Sequence, residues 1–297
     1  MKARLALLLL LFGLCPLLLA YDWPATDVQV TRTFGQRSVG TSFSGIEVVT
    51  TDSALRAPEK GDVVFVSRPG SQSIQNLPSA LGGFIMLSHE DNLRTVVSRL
   101  DPEVAQRQFQ RGEPLGKVTV DPGQAESRHR LFVFDQQLGE MVNPLLVYPP
   151  LVDKKAPLFL DVEVTGEADP NPQSLFGRSV LPVGYWQVAI DITDPSTLLT
   201  GLSKEKSSEI QRGVYAIEAY LNGTELFNTS LDSLFEKGGV WFIKGMSQPL
   251  DKVLVDDKRW MLGQVFFNEG NNILEIVVKD FAGNETGKTF RVRGLRN

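Results

Sequence analysis

The run Leu274-Glu275-Ile276-Val277-Val278-Lys279-Asp280-Phe281-Ala282-Gly283-Asn284-Glu285-Thr286 decides the fold class. Leu274, Ile276 and Val278 fall on one side of an extended chain, with Glu275 and Lys279 on the other. A period of two means a strand with one buried and one wet face. Asp280 and Asn284 can bond nearby backbone groups and Gly283 can take φ > 0, so the chain reverses there. The same alternation recurs at Leu160, Val162 and Val164, at Trp186, Val188, Ile190 and Ile192, and at Tyr215, Ile217, Ala219 and Leu221. Asn222-Gly223 follows the last of these and signals a two-residue hairpin turn. These features predict an antiparallel sandwich.

The first half reads as β too, in shorter runs. Asp62-Val63-Val64-Phe65-Val66, Gly83-Phe84-Ile85-Met86-Leu87 and Leu131-Phe132-Val133-Phe134 are bounded by glycine, proline and polar clusters. One short helix is expected around Pro102 to Phe109, with Asp101 as its N-cap. The stretch Ser203 to Glu209 reads as a solvated loop or short helix. The clearest break is Tyr148-Pro149-Pro150-Leu151-Val152-Asp153-Lys154-Lys155-Ala156-Pro157, a stiff polar connector. The expected organisation is a leader over 1–20, a β domain over 21–150 and a sandwich over 151–297. The fold class is all-β.

The chain has 297 residues, 42% hydrophobic and 22% charged, a globular balance sufficient for two cored domains. Its single cysteine, Cys15, excludes a disulfide framework within the chain. Lys2 and Arg4, the run Leu7 to Leu11 and Ala20 read as a secretory signal peptide cut near Ala20–Tyr21. The protein is therefore expected to be exported, to the periplasm or the cell surface, and to touch a membrane only if that segment is retained. Losing the leader moves the net charge from −5 to −7. Such a surface gives no pull toward nucleic acid.

Six short motifs occur in a familiar order. They are Phe34-Gly35-Gln36-Arg37, Phe43-Ser44-Gly45-Ile46-Glu47, Leu55-Arg56-Ala57-Pro58 with Gly61-Asp62-Val63-Val64, Gly83 to His89, Arg111 to Val118, and Val142-Asn143-Pro144-Leu145. The series resembles the LytM/lysostaphin-type zinc metallopeptidases, which cut peptide cross-bridges in bacterial peptidoglycan. The resemblance covers roughly residues 28–150 and implies a peptidase-like domain of duplicated-hybrid-type antiparallel sheets. In that family a histidine and an aspartate four residues apart bind zinc with the second histidine of a His-x-His pair. Two further histidines act on substrate or water.

Carried onto this chain, the ligand positions are Phe43, Glu47 and Leu131, and the catalytic positions are Arg99 and His129. Phenylalanine and leucine offer no lone pair, and a hydrolytic zinc needs about three protein ligands. Zinc is thus expected to be lost, with no cofactor in its place and no catalytic residue. With two histidines in the chain, the one rescue set is Glu47, His89 and His129. Glu47 is expected to pair with Arg99 or Arg130, and His129 to lie on a surface or in the groove. His89 falls where the family has a solvent-facing turn.

The resemblance then implies a bacterial envelope pseudo-enzyme whose old substrate groove, lined by Phe43, Glu47, Arg99, His129, Arg130 and Leu131, binds peptidoglycan or a cell-wall hydrolase. The alternatives are an active zinc endopeptidase with an unusual site and a purely structural or adhesive module. Residues 269–286 resemble the final hairpin of bacterial immunoglobulin-like repeats. Asp191, Asp194 and Asp280 could together hold calcium, but their spacing fits no defined loop.

Overall fold

Alternating apolar residues put strands along nearly the whole chain. The computed structural model describes residues 21–38, 41–70, 81–102, 106–118, 127–167, 170–198 and 208–296. The leader, including Cys15, and most of Ser203 to Glu209 lie outside them. The protein is all-β, and its strand pairs are antiparallel except Val180–Pro182 with Glu285–Leu295. The helix expected near 102–109 is not found among the described residues. Pro102 instead ends the strand Leu100–Pro102, whose pairing with Pro114–Val118 holds it extended, and Gln108–Phe109 is a strand. A four-residue helix, Leu250–Val253, occurs where no helix was expected.

The centre of the first half is the strand Ser127–Asp135. Its first part pairs with Ile46–Thr50, which in turn carries Gln29–Arg32 on its far side. Residues 131–135 pair with Leu93–Ser98 on the other edge. Burial alternates strictly along 127–133: Ser127, His129, Leu131 and Val133 are buried, while Arg128, Arg130 and Phe132 are not. Gly45 lies at the start of the neighbouring strand, and a Cβ there would sit 2.5 Å from the carbonyl oxygen of Leu131. That position must stay bare for the two strands to approach.

The second half contains two five-stranded sheets. One runs Gln173–Ser174, Leu158–Gly166, Gly184–Leu198 and Ser208–Arg212, with Arg259–Phe267 also on Gly184–Leu198. The other runs Val180–Pro182, Glu285–Leu295, Gly270–Lys279, Ala216–Leu221 and Thr224–Ser230. Val162, Val188, Ile190, Ile217, Ile276 and Val278 are buried in the core. Leu160 departs from the expected pattern: a register shift between Phe159 and Asp161 leaves it exposed. Asn222 (φ 53°) and Gly223 (φ 78°) form the hairpin turn between strands 216–221 and 224–230.

The sheet does not stop at the connector. Glu140–Val142, before it, pairs with Ser233–Lys237, after it, and Val240–Ile243 completes a ten-stranded sheet. Asn143, fully buried, fastens this seam. Its backbone N–H donates to Asp232, its Nδ2 donates to Leu231 O, and its Oδ1 accepts from Leu145 N to cap a 3-10 turn.

Candidate functional site

Three strands place the site. Arg32, Glu47 and Arg130 face one another across Gln29–Arg32, Ile46–Thr50 and Ser127–Asp135. Arg128 lies two residues from Arg130 on the same strand face, opposite Val49. The Glu47 carboxylate meets Arg128 Nη1 at 3.1 Å and Arg130 Nε at 3.8 Å, and accepts from Thr31 Oγ1 at 3.0 Å. The Phe43 ring packs edge-on against Phe132, with Arg32 Cζ 4.5 Å and Arg130 Cζ 5.8 Å from its centre. One carboxylate therefore sits among three guanidinium groups.

The environment is partly dry. The Glu47 side chain is 16% exposed, against 27% for Arg130 and 44% for Arg128. Burial pushes the Arg32 guanidinium below its ordinary value; Glu47 raises it again and Arg130 lowers it further. Arg32 Nη2 donates to Gln36 O at 3.2 Å, while its Nε is sealed from solvent without an acceptor.

The two histidines lie elsewhere. His129 points away from Glu47, into the core, and is fully buried. Its Nδ1 is 2.9 Å from Ser98 O and its Nε2 is 2.8 Å from Ser127 Oγ. A carbonyl only accepts, so Nδ1 carries the proton; Nε2 lies against the Ser127 hydroxyl, which also donates to Thr50 O at 3.2 Å. Burial holds the imidazole below its ordinary pKa; the bond to Ser98 opposes this and Arg99 adds to it. The expectation of a surface or groove histidine is thus corrected. Leu131 points inward beside it, so neither residue joins the cluster around Glu47. Arg99 has φ 58° and bonds through its backbone N–H to Leu81 O. Among the described contacts Glu47 pairs with Arg128 and Arg130, not with Arg99.

His89 is buried rather than solvent-facing. Its ring nitrogens reach Lys60 O at 2.8 Å and Thr95 Oγ1 at 2.9 Å, and Tyr21 packs against it. It shares no partner with Glu47 or His129. The set Glu47, His89 and His129 does not assemble: among the described residues the one group of three potential ligands is Asp153, Asp194 and Asp280. Asp191 is outside that group and pairs with Arg259.

Arg32, Arg128 and Phe132 escaped the sequence reading. The pair positions beside Glu47 are 128 and 130, one residue earlier than the motif alignment placed them. A one-residue slip in a strand turns every side chain to the other face. The chemistry of this set does not fit zinc. Phe43 has no donor atom, and guanidinium groups carry fixed positive charge and no lone pair. What the set can do is hold an anion.

A family model matches residues 164–293, under half of the chain. No curated protein matches it. Among solved structures the chain is similar to the SpoIIQ–SpoIIIAH pore-forming complex, at 18% identity over 45% of this chain and 93% of that one, with a TM-score of 0.33. It is also similar to the catalytic domain of the prophage-encoded M23 protein EnpA from Enterococcus faecalis, at 18% identity, 40% and 91% coverage and a TM-score of 0.32. Lysostaphin matches at 8% identity, 79% and 87% coverage and a TM-score of 0.34. Likenesses of this strength carry no functional argument.

Proposed function

We propose that this protein is an exported, non-catalytic relative of the LytM-type peptidases that binds carboxylate-bearing peptides of peptidoglycan in its former substrate groove. The observation that carries the reading is the charge cluster there: among the described residues, Arg32, Arg128 and Arg130 stand around the carboxylate of Glu47. In a chain of net charge −5 this is a local inversion of sign. Arginine is suited to the task, because its planar fork matches a carboxylate with two parallel hydrogen bonds. Glu47 occupies the place an incoming carboxylate would take, and holds the guanidinium groups in position without one. The ordered series of LytM-like motifs supplies the peptide context, and the leader segment supplies export. The second half, with its hairpin at 280–284, serves as an immunoglobulin-like spacer.

Sedimentation with purified peptidoglycan tests this. The parent protein is expected to pellet with it, and an Arg32→Gln/Arg128→Gln double variant to lose at least roughly tenfold in affinity, two charge-assisted contacts being removed. Binding should also weaken with added salt. No retention by peptidoglycan, or retention unchanged in the double variant, would overturn the reading. Retention only in the presence of a cell-wall hydrolase would assign the groove to a protein partner instead.

A further inference from the structure

A second charged cluster lies away from the groove, where the two halves meet. Asp153 comes from the connector, Asp194 from the strand Gly184–Leu198 and Asp280 from the turn before Glu285–Leu295. One carboxylate oxygen from each lies within 4.8 Å of the other two. Arg212, directly opposite Asp194 in the sheet, reaches both Asp153 and Asp194, the latter at 3.3 Å. The far side of the cluster belongs to the first half. Val30 and Thr33 line the same small cavity, about 30 Å³ in volume, and Thr33 bonds to Gly213 beside Arg212. A space of this size holds a single water or ion.

Two observations single this cluster out from an ordinary acidic patch. The Asp194 side chain is 3% exposed, and its Oδ1 is sealed from solvent with no hydrogen-bond partner. An orphaned buried carboxylate oxygen is costly unless something fills the gap. Carboxyl groups also outnumber the largely buried cation beside them. Asp153, Asp194 and Asp280 face Arg212, and Lys155 acts on Asp194 from the exposed side. Among the described residues three carboxyl groups thus meet one largely buried guanidinium, a setting into which an added cation fits.

We propose that Asp153, Asp194 and Asp280 form a calcium site that locks the two halves together, with Asp194 Oδ1 as its innermost ligand. Calcium takes oxygen ligands at roughly 2.3–2.6 Å in irregular geometry, so an ion between oxygens up to 4.8 Å apart reaches them. Magnesium demands a stricter octahedron and gives up its water reluctantly. The Asp280 carboxylate is already held in place: Oδ1 accepts from the backbone of Ala282 and Asn284 and Oδ2 from Asn284 Nδ2, each at 2.8 Å. Asn284 also reaches Asp153 O and Lys155 O, so turn and connector are fixed relative to each other before an ion arrives. Arg212 keeps its ion pairs with Asp153 and Asp194 Oδ2, leaving Oδ1 to the ion.

The test is calorimetric titration of calcium chloride into the chelator-treated full-length protein, with thermal melts alongside. Binding of about one calcium per chain and a higher melting temperature are expected, with a much smaller response to magnesium chloride. Asp194→Asn should weaken calcium binding at least tenfold. Asp153→Asn, at the more exposed edge, should do the same and guards against misfolding of the inner variant. Melts unaffected by calcium and no binding heat would overturn the site, showing Arg212 alone to balance the cluster. Calcium binding that survives both substitutions would overturn it equally.

Discussion

A Leu131→His variant is expected to melt roughly 10 °C below the parent and to gain no zinc. Leu131 stands where the motif alignment puts the last metal ligand, yet it is fully buried between Ile46 and Val97 on the neighbouring strands. Histidine there loses apolar burial and puts a polar ring between the apolar neighbours Ile46 and Val97. The two losses sum to about 3 kcal/mol. In a domain of this size about 1 kcal/mol shifts the melting temperature by roughly 2–4 °C. Arg130→His, on the groove side opposite Glu47, should cost clearly less. Circular-dichroism melts of the two variants decide the matter. A Leu131→His protein as stable as its parent would restore the original alignment and undo the site described above.

Glu47→Ala is expected to cost about 2 kcal/mol. The estimate lies between the roughly 3–5 kcal/mol for breaking a buried pair and the 0–1 kcal/mol for an exposed one. Glu47 is largely buried, but Arg128 is 44% exposed, so water screens part of the loss. The source of the cost is mutual repulsion among Arg32, Arg128 and Arg130 once their shared counter-charge is gone. Glu47→Gln should therefore cost nearly as much, and added salt should shrink the difference from the parent. Urea unfolding at low and high salt measures both. A loss under about 0.5 kcal/mol would mean that the carboxylate does not organise the cluster.

Much of the fold was legible because strand alternation is a local signal. Trp186, Val188, Ile190 and Ile192 face inward as their spacing demands, and Asn222-Gly223 turns the chain as its φ preferences demand. Of the helix expected near 102–109, residues 103–105 lie outside the described ones and both ends are strand: Asp101-Pro102 is equally at home in an edge strand, and pairing with Gly116 and Lys117 chose that state. The pairing of Glu140–Val142 with Ser233–Lys237 joins residues about ninety positions apart, and no local pattern carries such a contact.

At the site the error was one of parity. Leu131 and Val133 mark the buried face of their strand, which sends His129 inward and Arg128, Arg130 and Phe132 outward. The alternation itself contained that answer, but the histidine drew the alignment to 129 and 131. Arg32 gave no comparable signal. It reaches Glu47 only through the pairing of Gln29–Arg32 with Ile46–Thr50, including a register shift between Val30 and Arg32. Asp153 joined Asp194 and Asp280 in the same non-local way, across the connector and two sheets.

On the reading proposed above, guanidinium groups stand where the LytM-type peptidases hold a metal. The most direct test is the zinc content of the purified protein after dialysis against trace zinc. None above the buffer level is expected, since Phe43, Arg128 and Arg130 cannot ligate it. About one tightly bound zinc per chain, released when Glu47 is replaced, would contradict that reading.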